Sequence, residues 1–353
     1  MSELRGTHVP VLLERCLSLI APALESARRQ GRTPTHVDAT VGLGGHAEAV
    51  LEAHPDVVLV GLDRDTEALD RSGARLSRFA PRVHLVHTVY DGLPDALAAL
   101  SISAVDSVLF DLGVSSLQLD EADRGFAYAQ DAPLDMRMDQ TTGRTAEEIV
   151  NSYAEPDLAR VLRVYGEEKF ASRVAAAIGR ARSRTPITSS AFLAELVRDA
   201  IPAAARRTGG HPAKRTFQAL RIEVNEELRV LEQALPAALD ALTPGGRLVV
   251  MSYHSLEDRL AKRAIAPRVR SSGPVDLPVE LPGTGPTFRL LTRGAESPDE
   301  AEVAANPRAA SARLRATERL MDTRTDRERS DASPPSRPPR GAGADGATEG
   351  EAT

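Results

Sequence analysis

Asp38, Asp63 and Asp111 each stand at the end of a short apolar run, and the first is followed by the segment Val41-Gly-Leu-Gly-Gly-His46. Glycines at such a turn let backbone approach a ligand, and a helix starting there offers unpaired N–H groups. Asp63 lies 19 residues beyond Gly44, where an acid is placed to accept hydrogen bonds from a ribose diol. The spacing Gly42-x-Gly44-x-x-Ala47 satisfies the dinucleotide fingerprint, which alone carries little weight. Asp38 points instead to S-adenosylmethionine. A carboxylate before the glycines can meet an ammonium group, but it is awkward beside the pyrophosphate that an NAD-type turn must hold. That Asp38 and Asp111 merely cap turns is the plainer reading, and acids at three strand ends weigh against it.

A second group of donors follows a later apolar run: His254, Glu257 and Asp258 in His254-Ser-Leu-Glu-Asp258. The run lacks paired histidines, so no metal is expected there. Cys16 is the only cysteine, which excludes a disulfide framework and cysteine-built zinc or iron–sulfur sites and suits a reducing cytoplasm.

The elements that must hold these residues are legible as apolar runs. His36–Thr40, Val57–Asp63, Val83–Val89, Ser107–Asp111 and, much later, Arg247–Ser252 read as strands covered on both faces. Helical stretches at 47–53, 66–79 and 93–100 separate the first four, which implies right-handed crossovers and a parallel, doubly wound sheet. Between about 113 and 224 only helices are expected, at 145–153, 156–165, 167–182 and 188–201, the last capped by Thr188. One long helix is expected over 214–235. Residues 288–292 and 312–320 read as late strands.

The expected architecture is therefore α/β, a Rossmann-like doubly wound sheet with an inserted all-helical subdomain. Residues 1–112 and 225–320 form the sheet domain and 113–224 the insert. Residues 273–286 read as a Pro/Gly loop. The tail 321–353 has a single leading methionine and no Val, Ile, Leu or aromatic residue, so it cannot build a core and is expected to be disordered.

Hydrophobic residues make up 42% and charged residues 27%, an ordinary globular balance, and no apolar run is long enough to span a bilayer. The N-terminus lacks a basic-then-apolar signal, which with the cysteine usage leads to an expected cytoplasmic location. Net charge is −6, yet residues 158–222 hold 13 Arg or Lys against four acids. With only three lysines in the chain, arginine-rich composition explains Arg over Lys but not the local shortage of acids. A polyanion-facing surface on the insert accounts for both.

The motifs also resemble a known family, the RsmH (MraW) family of bacterial ribosomal RNA small-subunit methyltransferases, which methylate N4 of a cytidine. The resemblance rests on His8–Glu14, Asp38–His46, Leu62–Asp65, Asp111–Gln118, Arg124–Phe126, Pro133–Met138, Arg221–Glu226, Ser252–Arg259 and Asn306–Arg308, in order from residue 8 to about 320. It implies a methyltransferase Rossmann domain with a helical substrate domain, S-adenosyl-L-methionine as cofactor, and small-subunit (16S) ribosomal RNA or a ribosomal particle as partner. The implied cofactor contacts are Gly44, Gly45, His46, Asp63, Asp111 and Gln118. Tyr90 stands where the family usually has Phe, and Leu117 where it commonly has Pro.

A cytosine amine is a poor nucleophile because its lone pair is delocalised into the ring. A group that accepts a hydrogen bond from that amine would orient it toward the methyl. The Pro-Pro-aromatic motif of many amino-methyltransferases is absent after Asp111. Asp135, in Pro133-Leu-Asp-Met-Arg-Met138, and His254 are the candidate catalytic residues. The alternatives are an ion pair of Asp135 with Arg137 and a hydrogen-bonded structural role for His254. For RNA phosphates the candidates are Arg206, Arg207, Lys214 and Arg215, around a Gly-Gly-His-Pro loop; Phe217 reads as core. The rival functions are an NAD-linked Rossmann oxidoreductase and a non-catalytic RNA-binding ribosome assembly factor.

Overall fold

The computed structural model describes residues 10–115, 118, 121–127, 131–206, 211–273 and 283–321. Seven strands form one sheet in the order β3-β2-β1-β4-β5-β7-β6: β1 Thr35–Asp38, β2 Val58–Asp63, β3 Val83–His87, β4 Val105–Asp111, β5 Leu242–Ser252, β6 Phe288–Leu290 and β7 Arg313–Arg319. The first five are parallel, with Asp38 paired to Gly61 on one side and to Leu109 on the other. The two late strands are antiparallel to their neighbours and finish the sheet beyond β5.

Strand order runs outward from β1 in both directions, so the crevice between the carboxyl ends of β1 and β4 is the topological switch point where such sheets bind ligands. Alternate side chains face opposite layers. Leu59, Leu109 and Val249 pack with Ile20, Leu24 and Leu51 on one face; Val60, Val108 and Val250 pack with Leu93, Leu231 and Leu235 on the other. Burial on both faces is why these runs read as continuous rather than alternating.

The helix covering the first face, α1 Leu13–Arg29, is absent from the sequence reading. Its buried residues Cys16, Leu19, Ile20, Ala23, Leu24 and Ala27 follow helical spacing closely enough to have revealed it. The crossover helices α2 Gly45–Ala53, α3 Thr66–Leu76 and α4 Leu93–Ala99 fall where the sequence placed them.

The intervening segment is helical among the described residues: α5 Ala146–Ser152, α6 Glu155–Tyr165, α7 Ala171–Arg182 and α8 Ser190–Ala200, with a short turn at Ala203–Arg206. A core of its own runs from Phe126 to Leu220, within one compact unit that ends at Leu320. The cap of α8 is Ser189, not Thr188: its hydroxyl accepts the Phe192 N–H.

The long helix expected over 214–235 is two helices, α9 Lys214–Asn225 and α10 Glu227–Ala241, broken at Glu226 with φ +50°. The break has a visible cause. Asn225 donates from Nδ2 to the Met136 carbonyl (2.8 Å) and accepts the Met138 N–H (2.8 Å), so its side chain clips the 133–138 loop instead of facing solvent. That loop needs glycine nearby: Gly125 has φ +72°, and a Cβ there would lie 2.2 Å from the Pro133 carbonyl oxygen. No described helix is long and apolar enough to cross a membrane. The tail from 322 onward, residues 274–282 of the Pro/Gly loop and Arg207 lie outside the described residues.

Candidate active site

A cleft of about 530 Å³ opens at the carboxyl ends of β1, β2 and β4. Six of the seven expected cofactor residues line it: Gly45, His46, Asp63, Tyr90, Asp111 and Gln118. Gly44 shapes the turn from behind, taking φ +76° as the residue before α2, a conformation that costs an L side chain about 1–2 kcal/mol.

Asp63 is engaged by the backbone on both of its oxygens. Its Oδ2 accepts the Gly42 N–H at 2.8 Å and its Oδ1 the Asp65 N–H at 2.9 Å, so one carboxylate ties the glycine turn to the start of α3. Burial pushes its pKa up in spite of those bonds. Asp111 accepts the Tyr253 hydroxyl at 2.8 Å and lies 3.6 Å from His46 Nδ1. His46 Nε2 stands 3.1 Å from the Val11 carbonyl; a carbonyl only accepts, so that nitrogen carries the proton and Nδ1 is left toward Asp111. Tyr90 closes the cleft edge-on to Phe110, and its hydroxyl donates to the Glu227 carbonyl at 3.2 Å, which gives the tyrosine in place of phenylalanine a local partner.

Gln118 is engaged at both ends of its amide. It donates to Asp65 Oδ2 at 2.8 Å and accepts the Ser115 N–H at 3.1 Å. Arg124, 4% exposed, donates to the same Asp65 oxygen at 2.8 Å and to the Met138 carbonyl at 2.7 Å. Asp65 thereby holds three segments around the cleft.

Asp135 and His254 are not brought together. Asp135 does not line the cleft: Arg137 donates to it from Nε and a terminal nitrogen, each at 2.8 Å, and from its backbone N–H. Burial opposes its ionisation, but those bonds outweigh it and hold its pKa below the usual carboxylate value. His254 does line the cleft, as the cap of α11 Ser255–Ile265. Its Nδ1 accepts the Glu257 N–H (3.4 Å), and its buried Nε2 lies 3.2 Å from Glu257 Oε1 without an aligned hydrogen bond. Both ring nitrogens therefore face Glu257.

Glu227, His254 and Glu257 gather ligand atoms within 4.8 Å of one another. Arg221 already donates to both oxygens of Glu227, at 2.8 and 2.9 Å, and supplies the positive charge there. Asp258, the other acid of that run, pairs with Arg315.

Among the RNA candidates, Lys214 lines the cleft, Arg206 donates to the Ile201 carbonyl and Arg215 to the Glu167 carbonyl. Sequence reasoning missed Arg221 and Tyr253 as cleft residues. Arg221 and Glu227 are six apart, which is not a helical contact; only the kink at Glu226 brings them together.

Asp38 is 2% exposed at the end of β1, and burial, with Asp111 and Asp63 adding to it against a Thr40 backbone bond, raises its pKa to about 7. A raised carboxyl pKa favours the folded state fully below about pH 4, and that contribution is lost as pH rises through 7. Asp38→Asn should therefore flatten the fall in melting temperature between pH 4 and 8. It should stabilise the ligand-free protein at pH 8 by up to about 4 kcal/mol, three units at ~1.4 each. A parent-like pH slope in thermal melts of the variant would remove Asp38 as the titrating group.

A doubly wound sheet, a glycine turn at its switch point and carboxylates on three strand ends define a Rossmann-like methyltransferase. Only Asp63 and Asp111 line the cleft; Asp38, expected to meet an ammonium group, is buried behind it at the end of β1. S-adenosyl-L-methionine is the cofactor. The MraW methylase family model matches residues 5–320, and the chain belongs to that family. It is 74% identical over 331 residues to the ribosomal RNA small subunit methyltransferase H of Salinispora tropica, spanning 94% of this chain and 89% of that one. Identity to the protein of the same name is 75% over 334 residues in Salinispora arenicola (93% and 89% covered) and 65% over 318 residues in Saccharopolyspora erythraea (90% and 95% covered).

Proposed function

We propose that the protein transfers a methyl group from S-adenosyl-L-methionine to N4 of a cytidine in 16S ribosomal RNA, working in the cytoplasm on free RNA or a ribosomal particle. The observation that carries the reading is the cleft itself: Asp63 with the glycine turn it ties, Asp111 and Tyr90 line one cavity in a chain that matches its relatives nearly end to end. When bound, S-adenosyl-L-methionine would supply the methyl group: its sulfonium would become a neutral thioether as the N4 lone pair formed the C–N bond, with one amine proton passing to an acceptor or to water. The displacement is in line, so positioning supplies much of the acceleration.

Asp135 is tied up by Arg137, and both nitrogens of His254 face Glu257, so we place the acceptor for the amine on the segment Asp111–Ser115, which lines the cleft beyond β4. His254 then shapes the wall. Residues 113–224 act as the substrate-recognition domain, with Lys214 lining the cleft and Arg215 exposed beside it.

Mass mapping of small-subunit RNA from a deletion strain tests the reading. One cytidine should lose one methyl group, and purified protein with labelled S-adenosylmethionine should restore it. An unchanged methylation map would leave the assembly-factor reading, and binding of NAD in place of the labelled cofactor would leave the oxidoreductase.

A further inference from the structure

A second cleft, of about 480 Å³, lies at the other end of α9. Lys214, Phe217 and Arg221 of that helix face the cofactor cleft, whereas Ile222, Glu223 and Asn225 wall the second one. Arg64, next to Asp63 at the end of β2, lines both and so stands at their junction. The volume is within the range of about 300–1,000 Å³ typical of ligand pockets.

The second cleft is cationic in a chain whose net charge is −6. Arg64, Arg137, Arg144, Arg160 and Arg229 line it, against Asp139, Glu223 and Glu226. All three acids are engaged, and two of the arginines with them: Glu226 pairs with Arg229, and Arg137 is held by Asp135, so Arg64, Arg144 and Arg160 are the guanidinium groups that can meet a ligand. Glu223 accepts the Tyr153 hydroxyl at 2.8 Å, and Asp139 accepts the backbone N–H and the hydroxyl of Thr141. Arg160 keeps half its side chain exposed, with Glu223 no nearer than 3.9 Å. Arg144 is exposed in the turn before α5. Arg64 donates from a terminal nitrogen to the Asn225 carbonyl, but its buried Nε has no partner in the described structure. Tyr153 and Tyr165 add two of the chain's five tyrosines to the same walls.

We propose that this cleft binds a single-stranded RNA segment flanking the methylated nucleotide, with its arginines on phosphates and its tyrosines beside a base. Guanidinium groups just beyond β2, in the turn before α5 and on α6 suit successive phosphates better than one compact anion. Aromatic faces accept any base, so the cleft confers affinity and register rather than sequence choice. Arg64 at the junction lets one strand place its target base in the cofactor cleft and its neighbour here. The inference rests on the RNA methyltransferase reading above and names a surface outside the residues first expected to meet RNA.

The test compares the full chain with Arg144→Ala/Arg160→Ala, using unmethylated, deproteinised small-subunit ribosomal RNA as the probe. The pair should weaken RNA binding roughly tenfold and flatten the slope of log affinity against log salt by up to about 1.4, or 0.7 per lost phosphate. KM for RNA should rise with kcat held, and affinity for S-adenosylmethionine and melting temperature should match the parent. Arg173→Ala/Arg180→Ala removes equal charge from exposed positions on α7 and should leave affinity near the parent value. Arg144→Glu alone reads the same contact should the pair disturb folding. A parent-like salt slope in the folded variants overturns the inference, as does an equal loss in the α7 control. A parent chain that methylates neither this RNA nor the unmethylated small-subunit particle overturns the methyltransferase reading as well.

Discussion

Arg221→Ala should lower the unfolding free energy by about 3–5 kcal/mol, the usual cost of breaking a buried ion pair from one side. Its guanidinium donates to both Glu227 oxygens, and the two side chains are only 16% and 7% exposed. Removal strands the Glu227 carboxylate beside Glu257, itself 2% exposed. The Glu227 carbonyl also receives the Tyr90 hydroxyl, so the cleft wall should loosen with the fold. Urea titrations should show the loss as a lower midpoint at constant slope. Arg221→Met/Glu227→Leu removes both charges and should recover most of it, because an apolar pair of similar volume avoids the desolvation cost. A single variant within 1 kcal/mol of the parent would mean that Glu227 finds water, and that the kink at Glu226 is held by Asn225 alone.

That pair marks where legibility stops. The five parallel strands were readable because short runs rich in Val and Leu stand between turn signals, even though His36 and Ser107 sit buried among them, paired to each other, and β3 is only partly buried. The glycine turn and the acids Asp63 and Asp111 were readable because strand ends carry the ligand in such sheets, and that depends on order along the chain alone. The helix α1 was readable and overlooked; its apolar residues keep helical spacing from Cys16 to Ala27. The break at Glu226 was different. Asn225 and Glu226 give no stop signal of glycine or proline, and the reason for the kink lies 89 residues away, at the Met136 carbonyl.

The same holds for the catalytic candidates. Asp135 and Arg137 are two apart in sequence, so their ion pair was foreseeable as an alternative, but whether the pair faced the cleft was not. His254 precedes a Glu three residues on, the pattern of a helix cap in which the imidazole replaces a hydroxyl. In both places local chemistry was legible from the residues, and the direction in which it points was set by distant segments.

Asp63→Ala should weaken S-adenosylmethionine binding about 10- to 150-fold, from 1.5–3 kcal/mol for hydrogen bonds to a charged group at 1.4 kcal/mol per factor of ten. The sequence gives this acid a ribose diol as its partner. In the structure the carboxylate also holds the N–H groups of Gly42 and Asp65, so alanine releases the glycine turn and the start of α3 together. The two roles separate in Asp63→Asn. An amide oxygen can still accept one of the backbone N–H groups, but the charge is gone, and burial no longer disfavours the group as it does the carboxylate. Asparagine should therefore keep the parent's melting temperature or exceed it while still binding cofactor more weakly; alanine should lose on both counts. Isothermal titration and thermal melts on the two variants decide the matter. Parent-like affinity in Asp63→Asn would mean that the carboxylate serves only the turn, and that the ribose is held by a different residue of the cleft.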